Sequence, residues 1–205
     1  VRVNGEEISC DVVAVGWGFV PELSLAGILG AAMKVLKDGT VVVAVNSKQE
    51  TSVPGLYAAG ESTGIGGSTL ASLEGKIAGG GRARFARWRA QIFASGLMRV
   101  YPVPSDLLRN LSTETIICRC EEVSVGDLYA ACDNLGAENG LTAKLFSRAG
   151  MGLCQGRVCG RNVSEIVAGH THQDVQDSER IAATSRPIAA PISLGELGDG
   201  IEKQL

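Results

Sequence analysis

The sequence predicts an α/β chain. Strands, hairpins and one long helix fill residues 1 to about 100, and a smaller, mainly helical region follows them. Three observations carry that reading. Asn4-Gly5 and Asp38-Gly39 each sit between apolar runs, the dipeptides that favour tight hairpin turns. Tyr101-Pro-Val-Pro104 breaks the apolar pattern and reads as a linker. Beyond it, four of the six cysteines fall into two tight pairs on glycine-rich stretches.

In chain order, Val1-Arg-Val and Glu6 to Val15 form the first hairpin, and the second strand becomes wholly apolar from Val12, as a buried strand should. A short helix follows Pro21, over Glu22 to Met33. Met33 to Val45 is a second hairpin. Val53-Pro-Gly-Leu-Tyr-Ala-Ala-Gly60 is a short buried strand ending on glycine, and one helix runs from about Ser68 to Ser95. Short helices over Val125 to Asn134, Asn139 to Ser147 and Arg161 to Gly169 surround the cysteines. After His170 the apolar periodicity is lost, so an extended tail is expected. The implied division is 1–100, a linker at 101–112, a cysteine domain at 113–170 and a tail at 171–205.

Composition narrows the function. Hydrophobic residues make up 45% of the 205 residues, enough for a real core, and the formal charge of −3 favours neither nucleic acid nor an acidic membrane surface. No apolar run reaches the roughly 18 residues needed to span a bilayer. Val1 opens into a polar strand rather than a secretory leader, so the expectation is a cytoplasmic chain with reduced thiols, membrane-associated only through partners. Cys10 and Cys132 lie in apolar surroundings and read as small core residues. The 27 glycines cluster at 16–18, 60–67, 75–81 and 150–160, each a place where backbone can approach something bulky.

Cys118-x-Cys120 and Cys154-xxxx-Cys159 carry the chemistry. On an extended segment, residues i and i+2 point to one side, so Cys118 and Cys120 would ligate one iron of a binuclear cluster and Cys154 and Cys159 the other. Arg119, Arg157 and Arg161 would offset the charge of four thiolates. A structural zinc, disulfides and unligated thiols remain alternatives, although zinc sites favour gaps of two to four residues and these are one and four. His170-x-His172 reads as solvated, and Arg82, Arg84, Arg87 and Arg89 as an exposed helix face. No nucleophilic triad, phosphate-binding lysine loop or acid/base carboxylate pair is legible, so no catalytic residue is assigned.

Cys118-Arg-Cys120-Glu-Glu with Gly150-Met-Gly-Leu-Cys154-Gln-Gly-Arg-Val-Cys159 resembles the bacterioferritin-associated-ferredoxin type of [2Fe–2S] domain. It is closer to the variant fused to flavoprotein subunits of opine oxidases, hydroxyproline and proline dehydrogenases and hydrogen cyanide synthase. The resemblance covers roughly residues 5 to 170. Stand-alone ferredoxins of this type have a shorter second pair; the gap of four here matches the fused variant. Gly16-Trp-Gly-Phe-Val-Pro21 imitates a G-x-G-x-x-G fingerprint but has proline at the third glycine; it resembles instead a second glycine-proline motif of two-dinucleotide-domain flavoproteins. Val53 to Gly60 with Glu61 and Gly64-Ile-Gly66-Gly67 resembles the closing flavin-binding motif of that class, in which aspartate is common where Glu61 stands.

The resemblance implies a partial two-dinucleotide-domain flavoprotein lobe ahead of a [2Fe–2S] domain. It implies FAD contacts at Gly60, Glu61, Gly64, Gly66 and Gly67, with FAD shared with a missing N-terminal half or a partner chain, and cluster ligands at Cys118, Cys120, Cys154 and Cys159. The activity it implies is oxidation of an amine, amino acid or opine in a hetero-oligomeric dehydrogenase. In that assembly the substrate binds elsewhere and this chain passes electrons onward. A non-enzymic [2Fe–2S] carrier or adaptor docking on a flavoprotein is the alternative.

Overall fold

A computed structural model of the chain describes residues 1–14, 16, 18–101, 107–184 and 195. Most of the expected linker and the end of the expected tail lie outside these residues. Among these residues the fold mixes helices with three separate two-stranded antiparallel sheets.

Asn4 and Gly5 both take positive φ (50° and 88°), the backbone a two-residue turn needs, and they join β1 (Arg2–Val3) to β2 (Glu6–Glu7). The second strand stops there, shorter than expected. Ile8 still bonds to Val1 in both directions, at 2.7 and 2.8 Å, but residues 9–14 are exposed and Val12 is 83% accessible, because no described sheet offers them an edge to pair with. Cys10 is exposed for the same reason and is not a core residue. The helix expected over 22–33 is only α1 (Ser24–Ile28), ended by Gly30 at φ 78°. β3 (Met33–Val35) and β4 (Val41–Val43) pair as expected around Asp38-Gly39, with Asp38 accepting from the Thr40 amide at 3.1 Å and hydroxyl at 2.8 Å.

Two further expectations are corrected. Residues 53–60 form no strand; a single bridge between Glu50 and Tyr57 leads into a 3₁₀ turn at Gly60–Thr63. The long helix is two: α2 (Ser68–Ala78) and α3 (Arg84–Val100). Gly79-Gly80-Gly81 separates them, and Gly80 at φ 83° takes a conformation that a continuing helix cannot use.

The cysteine region follows the sequence closely. β5 (Ile116–Cys118) pairs with β6 (Val123–Ser124), and α4 (Val125–Leu135), α5 (Gly140–Ser147) and α6 (Gly160–Thr171) pack on one another. Ser124 with Asp127 and Asn139 with Thr142 form reciprocal caps that fix where α4 and α5 begin. Gly140 is needed where α5 meets α6, since a Cβ there would lie 2.8 Å from the Ser164 Cα. His170 is not merely solvated: its ring stacks on Tyr129 at 4.1 Å and Nε2 meets Asp133 Oδ1 at 2.8 Å.

Part of the expected tail is a helix, α7 (Asp177–Thr184). Its Glu179 accepts from the Gly140 N–H at 2.8 Å, Arg180 pairs with Glu165 at 2.6 Å, and Ile181 packs against the hydrophobic cluster of Leu23, Ala31, Val41 and Val43. The helix therefore ties that cluster to a second one, built from Val125, Leu128, Ala143, Val163, Ile166 and Val167 among others. Among the described residues no helix is long and apolar enough to cross a membrane.

Candidate cofactor site

Cys118 ends β5 and is buried among the core residues of α4 and α6. The chain turns immediately afterwards, with Glu122 at φ 53°, so the strand alternation that would set Cys120 beside Cys118 is lost. Cys120 is exposed. The second loop brings buried Cys159 beside the Cys118 thiol and half-buried Cys154 beside the Cys120 thiol. The four expected cysteines thus come together, but they couple across the loops rather than within them.

Glycine makes this close approach fit. The Gly150 N–H lies 3.4 Å from Cys118 Sγ, and a Cβ on Gly150 would be 3.8 Å from Cys159 Sγ. A Cβ on Gly152 would collide with the Cys120 Cβ. Burial would raise the Cys118 thiol pKa, but N–H groups of Gly150, Glu121 and Cys120 and the Cys159 thiol outweigh it and hold the group below its ordinary value. Cys154 is lowered in the same way: burial opposes, while N–H groups of Val158, Gly156 and Arg157 and the Cys120 thiol prevail. Cys159 is pushed up to about 12 by burial and by the neighbouring Cys118 and Cys154.

Four soft sulfur donors, all free of disulfides, fit a thiolate-ligated centre. Among the described residues no three His, Cys, Asp or Glu side chains converge as they would around a single metal ion. Arg157 and Arg161, expected to offset thiolate charge, bond to other groups. Arg157 donates to the Ser24 hydroxyl at 3.1 Å as well as to the Cys154 carbonyl at 3.3 Å, and Arg161 reaches Thr40 Oγ1 at 3.2 Å and the Asp38 carbonyl at 2.5 Å. Cys132 lies half-buried beside the cluster of α4 and α6, its thiol raised by burial and by Asp133, in line with a packing role.

At the other expected site, the Glu61 carboxylate accepts from the Gly66 N–H at 3.1 Å and the Gly67 N–H at 2.9 Å, closing the loop ahead of α2. Gly60, Gly64 and Gly67 take positive φ, and Gly67 opens onto free space. A side chain at Gly66 would press on the end of the Leu70 side chain. A carboxylate has about four lone-pair positions, so Glu61 keeps acceptor capacity for ligand hydroxyls, and the bare glycine backbone admits a close approach. These residues fit a flavin.

The residues that sequence reasoning missed lie beneath this loop. Glu74 is buried, as is Gln49, and both bond to Arg87, which belongs to the helix face expected to be exposed. One signal was available. Leu70, Glu74 and Ile77 share a helix stripe, and an acidic residue on an apolar stripe calls for a buried partner.

No protein-family model matches the chain. It is 34% identical over 217 residues to an opine oxidase subunit of Rhizobium meliloti (strain 1021), an alignment covering 98% of this chain and 47% of that protein. It is 30% identical over 174 residues to the HcnB subunit of hydrogen cyanide synthase from Pseudomonas aeruginosa, covering 76% of this chain and 37% of that protein. The chain's relatives are oxidoreductase subunits. The chain spans less than half the length of each of these two. Its fold is shared with the crystal structure of L-proline dehydrogenase from P. horikoshii: TM-score 0.64, 22% identity, 88% of this chain and 37% of that one.

Proposed function

We propose that the chain is the electron-transfer and flavin-binding part of a multi-subunit, flavin-dependent dehydrogenase that oxidises an amine, amino acid or opine. One observation carries this: four free thiols from two loops gather as two couples, with backbone N–H groups aimed at the sulfurs. The similarity to subunits of an opine oxidase and a hydrogen cyanide synthase supports the same reading. The domains that go with it are a partial flavoprotein lobe at 1–100 and a cysteine domain at 113–170.

When bound, a [2Fe–2S] cluster supplies one-electron chemistry and a flavin accepts electron pairs. The chain's own part is to hold and orient. Cys118 and Cys159 would be the sheltered ligands, Cys120 and Cys154 the outer ones, and the N–H groups of Gly150, Val158 and Gly156 would stabilise thiolate charge. Glu61 and the backbone at Gly60, Gly64, Gly66 and Gly67 would position the flavin. Substrate and its proton acceptor belong to another subunit.

Anaerobically purified chain should be red-brown and carry about two irons and two sulfides. Stoichiometric zinc without iron, or colourless metal-free protein after reconstitution with iron and sulfide, would end the cluster assignment. The carrier or adaptor reading is favoured by one observation, that each expected flavin-loop residue also has an internal structural reason. Co-purification separates the two: a partner chain with flavin and dye-linked activity on amino-acid-like substrates supports the dehydrogenase, and cluster-only protein supports the carrier.

A further inference from the structure

The loop over Gly60–Gly67 is held from below by a polar group that the proposed function leaves unused. Glu74, on α2, is 2% exposed. Its Oε2 accepts from the Gly60 N–H at 3.0 Å and from the Thr63 hydroxyl at 2.8 Å, and its Oε1 accepts from Arg87 Nε at 3.0 Å. Gln49 is wholly buried, and its side-chain amide accepts from Arg87 Nε and Nη2 at 3.2 Å while donating to the Ala58 carbonyl at 2.9 Å. Its main-chain carbonyl takes the Ala58 N–H at 3.1 Å, and Gln49 does this in a left-handed backbone at φ 66°. Strained non-glycine backbone at a buried position persists only where the surroundings over-determine it.

A buried ion pair is a poor way to join two helices, since an apolar pair of similar volume does it at least as well. Here the carboxylate oxygen that does not face Arg87 goes entirely to the loop. We infer that Glu74 is a positioning residue for the Gly60–Gly67 loop, fixing Gly60 and Thr63 so that Glu61 is presented at the flavin position. Arg87 and Gln49 hold Glu74 and the preceding Ala58 in place. The inference rests on the flavin reading for its ligand, and on the bonds themselves for the positioning.

The full-length chain carrying Glu74→Gln tests it, with Thr63→Val as a milder variant that leaves the buried charge paired. Two quantities are read: amide hydrogen exchange along the chain, and FAD titration followed by quenching of flavin fluorescence. In Glu74→Gln, exchange at Gly66 and Gly67 should quicken roughly tenfold or more, the loss expected for a hydrogen bond to a charged group, while α4 and α6 keep wild-type rates. The FAD dissociation constant should rise by a similar factor, and Thr63→Val should move both in the same direction by less. Unchanged exchange at Gly66 and Gly67 in a folded variant overturns the inference. So does uniform loosening of α2 and α3, which marks a plain ion pair. If the wild-type chain takes up no FAD by itself, as a site shared with another chain requires, exchange alone decides the positioning. If Glu74→Gln does not fold, Thr63→Val decides.

Discussion

Around the cysteines, Val125, Leu128, Ala143 and Val167 are completely buried among α4, α5 and α6, whereas Val12 and Phe19 near the start of the chain are 83% and 81% exposed. Both stretches are apolar in sequence. The difference lies in how far away the partner is. A capped helix satisfies its own backbone and needs only a neighbouring helix a few residues on. A strand satisfies nothing until another strand lies beside it, and residues 9–14 have none among the described residues.

The sharpest way to break this comparison is to cut side chains from each region. Leu128→Ala removes a fully buried side chain from between packed helices and should cost about 2–5 kcal/mol, read by urea or thermal unfolding. Val12→Ser in the same chain should stay within about 0.5 kcal/mol. A comparable loss at Val12 would mean that the start of the chain is packed in solution, and the contrast between the regions would be gone.

Glycine substitutions sharpen it further. Gly152→Ala places a methyl against the Cys120 Cβ, so the outer thiol couple must shift. We expect a cost of about 1–3 kcal/mol, from overpacking, and lower iron retention after reconstitution. Gly16→Ala meets open space at ordinary φ and should change neither stability nor iron content measurably. Equal iron content in both variants would separate the Cys120 position from metal binding.

The sequence was most legible where signals were local. Hairpin turns at Asn4-Gly5 and Asp38-Gly39 and the limits of α4 to α6 all followed from residues close in the chain. The coupling of the four thiols did not, because the turn after Cys118 cancels an alternation that only a continuing strand would preserve. The break in the long helix was visible as three consecutive glycines, yet the apolar pattern on either side concealed it. Least legible were α7 and the Glu74–Arg87–Gln49 group. Each takes its stability from residues far along the chain, Glu179 from Gly140 and Glu74 from Gly60 and Arg87.

The smallest effect we expect concerns the cap of α4. α1, α2 and α3 begin without a side-chain cap, whereas α4 begins with Ser124 and Asp127 bonded reciprocally. The Ser124 N–H and hydroxyl, at 2.8 and 2.7 Å, hold the Asp127 carboxyl below its ordinary pKa. A folded value below the unfolded one stabilises the charged form. The contribution is therefore fully present above the unfolded aspartate value of about 3.9 and is lost as pH falls through the lower folded value. Because Asp127 is exposed, the contribution is at most about 1 kcal/mol. Asp127→Asn should lower stability by that amount across neutral pH, and the gap from wild type should close in acid, read by urea unfolding at a series of pH values. A gap that persists below the folded value would assign the effect to amide geometry rather than charge, and α4 would then be held, like α1 to α3, by packing alone.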